Sequence, residues 1–300
     1  MQTILGANGT IGSILAKELA AYTDRVRLVS RNPKKVNATD ELMPMDLSKP
    51  ELVDQAIAGS EVVYLLVGFE YKLKVWQKNW PLLMKAVIEA CSKHNARLVF
   101  FDNVYAYDEK SIGHMTEDAP LNPPSGKGLV RKQLVDMLSE ALKAGKLNAL
   151  IARAADFYGP DNERSMFIEM VIKNIKKGKK PMWLIDANKT HSFTYTPDAA
   201  KATAILGNTA DAYGQVWHLP TDARPFSVKQ LVELYPGYKK KGITSLQPWF
   251  IKLLGLFIPV MKEMPEMLYQ YDRDYFFDSS KFNSRFSFKT TPYEEGMASL

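Results

Sequence analysis

Gly6-Ala7-Asn8-Gly9-Thr10-Ile11-Gly12 is the stretch whose reading decides the fold. It lies between the short apolar run Ile4-Leu5 and an apolar-periodic segment, Ile11, Ile14, Leu15 and Leu19, so a strand, a tight turn and a helix are expected in succession. In such a turn the first glycine lets the chain reverse, the second lets backbone N–H groups approach a pyrophosphate, and the third lets the helix pack closely on the strand. The anion then sits where unpaired N–H groups and the helix dipole attract it. The spacing Gly-x-x-Gly-x-x-Gly is one residue longer than the commoner dinucleotide fingerprint, and glycine clusters also mark ordinary turns, so context carries the reading. Residues 26–29 supply that context as a second strand pattern after a helix-length interval, which completes a β-α-β unit. Gly6, Asn8, Gly9, Thr10, Ile11 and Gly12 are the cofactor contacts this predicts.

The rest of the composition is that of an ordinary globular chain. Its 300 residues, 46% hydrophobic and 24% charged, suffice for one large domain or two modest ones. The single cysteine, Cys91, excludes an internal disulfide framework, and its helical phase with Val87 and Ile88 predicts a buried thiol. A strand pattern starting almost at Met1 leaves no room for a cleaved signal, so a cytoplasmic location is expected. The longest apolar stretch, residues 249–261, carries Lys252 and Pro259 and falls short of the roughly 20 residues that cross a bilayer. It reads as a core helix first, then as a lid or an interface, and no membrane partner is expected. The net charge of +6 and pI near 9.1 fit an anionic cofactor. The lysine runs at 176–180 and 239–241 come without an RNA-reading aromatic pattern, zinc-finger spacing or repeat, so they read as solvated faces and no nucleic-acid partner is expected.

Ser30-Arg31-Asn32-Pro33-Lys34-Lys35 follows the second strand. An NAD site usually places a carboxylate there for the ribose 2′-hydroxyl, and this chain has none. Ser30 offers a hydroxyl and Arg31 a fork of donors suited to a 2′-phosphate, so NADP(H) is preferred to NAD(H), the alternative being that Arg31 merely points into solvent. Further on, Ser48-Lys49-Pro50-Glu51 reads as a capping box opening a short helix to about residue 58. Residues 61–67 form a nearly unbroken apolar run, as in a central parallel strand buried on both faces, and its end, Val67 and Gly68, is expected to face the cofactor. Trp76, Trp80, Leu83, Met84, Val87 and Ile88 then recur at helical spacing, and residues 98–101 form the next strand. Strands alternating with helices predict an α/β fold with a doubly wound parallel, Rossmann-type sheet.

Five further segments carry a resemblance: Met45-Asp46-Leu47, Phe101-Asp102-Asn103-Val104-Tyr105-Ala106-Tyr107, Glu117-Asp118-Ala119-Pro120, Arg153-Ala154-Ala155-Asp156-Phe157-Tyr158-Gly159-Pro160 and Phe193-Thr194-Tyr195-Thr196-Pro197-Asp198-Ala199-Ala200. With them the chain resembles, over nearly its whole length, the extended short-chain dehydrogenase/reductase superfamily, the group of NAD-dependent epimerases and dehydratases. The resemblance implies that Asp46 contacts adenine, that Asn103 stands at the family's serine-bearing strand end, and that the segment from Arg153 opens the substrate region. It implies residues 1–160 as the dinucleotide-binding domain, with about 190–220 returning to it, and 161–300 as a smaller, mainly substrate-binding part. Relatives often dimerise through two helices, here those around residues 76–93 and 131–143, which implies a homodimer.

The family's proton-transfer pair, a tyrosine four residues before a lysine, is absent. At the matching place stands Pro123-Pro124-Ser125-Gly126-Lys127-Gly128-Leu129-Val130-Arg131-Lys132. In one register Lys127 replaces the tyrosine and Arg131 the lysine; in the other Lys132 is the retained lysine and Gly128 replaces the tyrosine. The first keeps the family's glycine and is preferred. Asn103 can donate a hydrogen bond to a carbonyl but cannot relay a proton as a serine does. Tyr105 and Tyr107, two apart on an extended chain, point the same way and are candidate proton donors, as is Lys127, although a tyrosine at a strand end often only packs. The histidines His94, His114, His191 and His218 are scattered, so no metal site is expected. His191 stands near the family's arginine for a sugar-nucleotide pyrophosphate and is a poorer anion clamp, with Arg164 or Lys173 as substitutes.

Three readings follow: an NADP(H)-dependent oxidoreductase acting on a carbonyl or hydroxyl of a small metabolite, a sugar-nucleotide epimerase or dehydratase, and a non-catalytic NADP(H) sensor. The first leads.

Overall fold

The computed structural model describes residues 1–163 and 165–300; Arg164 lies outside the described residues. The strands are β1 (Gln2–Leu5), β2 (Val26–Ser30), β3 (Glu41–Pro44), β4 (Val62–Leu65), β5 (Arg97–Asn103), β6 (Ala149–Ala154), β7 (Asp156–Tyr158), β8 (Met182–Leu184), β9 (Phe193–Tyr195), β10 (Val216–His218) and β11 (Thr244–Leu246). The helices used below are α1 (Thr10–Leu19), α2 (Val53–Ile57), α3 (Leu73–Lys93), α4 (Gly126–Lys143), α5 (Lys173–Lys176), α6 (Thr196–Gly207), α7 (Val228–Leu234), α8 (Pro248–Leu254) and α9 (Pro259–Lys262).

Two compact units share the chain. The first comprises Met1–Asp102, Leu129–Arg153 and Ala199–Trp217. Its seven-stranded sheet has the order β10-β6-β5-β4-β1-β2-β3, with β1 parallel to β2 and β4, β2 to β3, and β4 to β5. The expected α/β, doubly wound sheet is therefore present. Order reverses between β1 and β4, which opens a crevice beyond their carboxyl ends, where such sheets bind ligands. β1 and β4 are buried along their whole length, because helices cover both sheet faces and leave no polar side to alternate with. α1 turns Gly12, Leu15, Ala16 and Leu19 inward, and α3 turns in Trp76, Trp80, Leu83, Met84, Val87, Ala90 and Cys91. Burial pushes the Cys91 thiol up to about 12, so it packs as a small hydrophobe.

One local expectation fails. Ser48 does not cap a helix; its N–H and hydroxyl both donate to Asp46, at 3.0 and 2.8 Å, and a 3-10 turn at Pro50–Leu52 with no side-chain cap leads into α2. A carboxylate two residues back outcompeted the N-cap role.

The second unit comprises Asn103–Gly128, Ala154–Asp198 and His218–Leu300. It is comparable in size to the first, and residues 161–300 supply most of it, together with Asn103–Gly128. Two short parallel ribbons, β7–β9 and β8–β11, frame it. Trp183 packs edge to face on Phe167 and on Phe193, and those two rings meet at a tilt. α7 opens on a reciprocal capping box between Ser227 and Gln230.

Residues 249–261, expected first as a core helix, form instead the hairpin of α8 and α9, with Leu256 and Phe257 at 76% and 79% exposure. The Pro259 that follows Ile258 ends any continuous helix and splits the stretch into pieces too short to bury a face.

Candidate functional site

The glycine turn lies at the carboxyl end of β1, before α1. Gly6 and Ala7 donate their N–H groups to Val29 O at 2.9 and 3.2 Å, and Gly9 N–H donates back to Gly6 O at 3.2 Å. Gly6 has φ +95°, and a Cβ there would lie 2.8 Å from the Leu66 carbonyl and the Val67 nitrogen. A Cβ on Gly12 would meet Ala7 O at 2.8 Å. These two glycines are fixed by the protein's own packing. Gly9 is different, because its φ of −72° and ψ of 158° suit any residue and its Cβ would meet nothing nearer than Gly6 O at 3.6 Å. Nothing in the chain's own packing requires glycine there. Gly9 also caps α1 without a side-chain bond and no acid sits in the first turn, so the helix start presents donors and positive potential to an anion. Thr10 and Ile11 form that start, and Asn8 ties the loop down by donating Nδ2–H to Asn32 O at 2.5 Å.

At the end of β2 the Ser30 hydroxyl is buried with no hydrogen-bond partner, beside the exposed Arg31. A buried hydroxyl without a partner costs about 1–3 kcal/mol unless a ligand satisfies it. Asp46 lies within electrostatic reach of Arg31; the two Ser48 bonds, then Arg31 and Lys49, hold its carboxyl below the usual range. Val67 is half-buried, and Gly68 is exposed with no atom within 4 Å of an added Cβ. The orphaned hydroxyl, the open Gly9 and the uncapped helix start fit a phosphate-bearing dinucleotide.

The proposed proton-transfer positions are occupied differently. Arg131 bonds Asp102 through Nε at 2.8 Å and Nη2 at 2.5 Å, while Arg153 bonds the other carboxylate oxygen at 3.1 and 3.0 Å. All three side chains are at most 4% exposed, and Arg131 also lies over the Trp80 and Phe100 rings. In the second unit Lys127 is fully buried, its Nζ donating to Glu266 at 2.6 Å, Glu263 at 2.8 Å and the Glu263 carbonyl at 3.2 Å. Glu266 also accepts the Gly126 N–H at 2.7 Å. Gly128 has no room for any other residue, since a Cβ would come within 2.5 Å of Tyr105 O and Pro123. Lys132 pairs with Asp136 one helical turn away on a partly exposed face.

Among the strand-end candidates, Asn103 accepts the Tyr105 N–H on Oδ1 at 3.1 Å and starts a 3-10 turn, Val104–Ala106, so the extended path that would aim Tyr105 and Tyr107 alike ends there. Tyr105 is half-buried. Tyr107 is fully buried, with its hydroxyl 2.6 Å from His218 Nε2, and His218 Nδ1 lies 2.6 Å from the Asp278 carbonyl. Because a carbonyl only accepts, His218 Nδ1–H donates to Asp278 O, which leaves Nε2 for the hydrogen bond with the Tyr107 hydroxyl.

A second polar group went unread in sequence. His191 Nε2 lies 2.9 Å from Asp156, and its ring stacks on Tyr275 at 4.2 Å and on Tyr271 at 5.4 Å. The Tyr275 hydroxyl is buried without a partner. Burial, then Asp156 and Tyr105, push the Tyr271 and Tyr275 phenols well above their ordinary value, so both stay protonated. No local signal joins these residues, which lie 35 and 115 positions from Asp156 along the chain at His191 and Tyr271. Among the described residues no cluster of His, Cys, Asp and Glu is arranged to hold a metal ion.

Comparison with known proteins gives a consistent result. Over its full length the chain is similar to Pal from Bacillus thuringiensis (18% identity, TM-score 0.80, 97% of that chain covered) and to the UDP-glucuronic acid 4-epimerase of Bacillus cereus in complex with NAD (18%, 0.78, 97%). Over 99% of its length it is similar to DesIV, a dTDP-glucose 4,6-dehydratase from Streptomyces venezuelae with NAD bound (14%, 0.78, 94%). At such identities the likeness is one of fold. No curated protein matches. Residues 3–218 match the model of the NAD dependent epimerase/dehydratase family, and the chain belongs to that family.

Proposed function

We propose that the protein is an NADP(H)-dependent oxidoreductase acting on a carbonyl or hydroxyl carbon of a small metabolite. The observation that carries the cofactor preference is the buried, unpartnered Ser30 hydroxyl beside exposed Arg31, with no carboxylate at that strand end. Ser30 and Arg31 would hold a 2′-phosphate, the amides from Gly9 to Gly12 the pyrophosphate, Asp46 the adenine, and Val67 with Gly68 the opposite rim. A bound nicotinamide supplies a hydride donor or acceptor. On the protein side, Lys127 and Arg131 are engaged in buried ion networks and Tyr107 in its bond to His218. The carboxyl end of β5 then supplies the reacting polar groups. The Asn103 amide donates to the substrate oxygen, and the Tyr105 phenol is the proton donor.

The test is paired titration with NADPH and NADH, followed by a panel of aldehydes, ketones and alcohols. Tighter NADPH binding with hydride exchange on at least one compound is expected. Tight binding with no exchange across the panel would instead describe a cofactor sensor.

Family membership supports a second reading, a nucleotide-sugar epimerase or dehydratase, as do similar structures such as MoeE5 in complex with UDP-glucose and NAD. It requires an anion clamp other than His191, which is 2% exposed and already bonded to Asp156. Calorimetric binding of UDP-glucose or UDP-glucuronic acid, with cofactor retained through dialysis, would favour it. The exposed Leu82 on α3 and Leu129 on α4 support a homodimer through those helices, for which sedimentation is the test.

A further inference from the structure

The stretch from Leu234 to Lys262 contains no aspartate or glutamate and five lysines, Lys239, Lys240, Lys241, Lys252 and Lys262. The same stretch carries the largest apolar exposure among the described residues. At the turn between α8 and α9, Leu256 and Phe257 are 76% and 79% exposed, and Trp249, Leu253, Ile258 and Val260 are exposed around them. The hairpin is held from beneath, since Ile251 is fully buried and Met264 and Met267 are nearly so. Its tip therefore stands out from a fixed base.

The backbone of the tip is already satisfied. The N–H groups of Gly255, Leu256, Phe257 and Ile258 donate to Ile251, Leu253 and Leu254 carbonyls at 2.8–3.1 Å, and Met261 N–H donates to Ile258 O at 3.0 Å. Such a segment can leave water without stranding amide donors. Its helices have seven and four residues, too few to offer a groove-binding stripe, so the apolar surface is a convex knob. A knob of tryptophan, phenylalanine and leucine, in a stretch of chain that carries five lysines and no acid, is complementary to one kind of surface.

We propose that the α8–α9 hairpin docks this protein on an anionic lipid surface. Leu256, Phe257 and Trp249 enter the boundary between headgroups and acyl chains, and the lysines lie against the headgroups. No helix among the described residues is long and apolar enough to cross a membrane, and docking of this kind needs none.

The test uses the full chain with phosphatidylcholine vesicles, with and without phosphatidylserine, read by cosedimentation and tryptophan emission. Trp249 is 68% exposed, whereas Trp76, Trp80, Trp183 and Trp217 are at most 7% exposed, so a blue shift reports the hairpin. Binding to the phosphatidylserine vesicles that weakens with salt, accompanied by the blue shift, is expected. The double variant Leu256→Ser/Phe257→Ser removes side chains that support no packing and should lower partitioning about a hundredfold with NADPH binding unchanged. The triple variant Lys239→Gln/Lys240→Gln/Lys241→Gln should lower it about tenfold and abolish the preference for phosphatidylserine. Absence of binding to either vesicle overturns the proposal, as does full binding by the double variant. Self-association without vesicle binding, lost in the double variant, also overturns it and assigns the knob to a second copy of the chain.

Discussion

The carboxyl end of β2 and the start of α4 are both places where the family resemblance puts function, and they treat their polar groups in opposite ways. At β2 the Ser30 hydroxyl is buried without a partner, Arg31 extends into solvent, and the Gly9 backbone faces open space. At α4, Lys127 is surrounded by Glu263 and Glu266, and Arg131 shares Asp102 with Arg153. The first set keeps open hydrogen-bonding capacity, while the second is saturated by its neighbours. Lys127 and Arg131, the preferred counterparts of the family's pair, are of the second kind, and this moves the search for chemistry to the end of β5.

The largest test of that contrast is Asp102→Asn, which leaves two buried guanidinium groups without their shared anion. A loss of about 4 kcal/mol in unfolding free energy is expected in urea titrations. Lys127→Ala should follow at about 3 kcal/mol, because Glu263 and Glu266 would face each other without the cation. A Lys127 variant with unchanged stability and lost turnover would instead make that ammonium catalytic. On the ligand side, Arg31→Ala should weaken NADPH about thirtyfold and leave NADH unchanged; an equal loss for both would end the 2′-phosphate reading. The glycines sharpen the point further. Gly12→Ala should cost about 1–2 kcal/mol through its clash with Ala7, whereas Gly9→Ala should leave stability intact and weaken either dinucleotide about tenfold. The smallest effect belongs to Lys132→Ala, under about 0.5 kcal/mol with unchanged turnover, since an exposed pair one turn apart contributes little.

What sequence revealed follows from how far apart the relevant partners lie. The glycine turn, the buried strand within 61–67 and the helix face from Trp76 to Val87 are written in local spacing; the strand is shorter than expected, Val62–Leu65, and Ile88 is only half-buried. Arg131 and Arg153 find Asp102 across 29 and 51 positions, and Lys127 finds Glu263 across 136, distances at which a single sequence carries no pairing signal. The Ser48 cap failed for the opposite reason: a nearer acceptor, Asp46, was available within the same local window. Residues 249–261 misled because apolar composition alone does not tell a buried face from one turned outward.

The chain passes between its two units five times, at 102–103, 128–129, 153–154, 198–199 and 217–218. During synthesis the parallel sheet therefore cannot acquire its edge strand β10 until residue 218 has left the ribosome, by which time nearly half of the second unit is also out. The first unit's chain is complete at Trp217, ahead of the second's, but no single proteolytic cut releases either one intact. The glycine turn at 6–12 thus gains its complete sheet only once residue 218, more than two hundred positions further on, has been added.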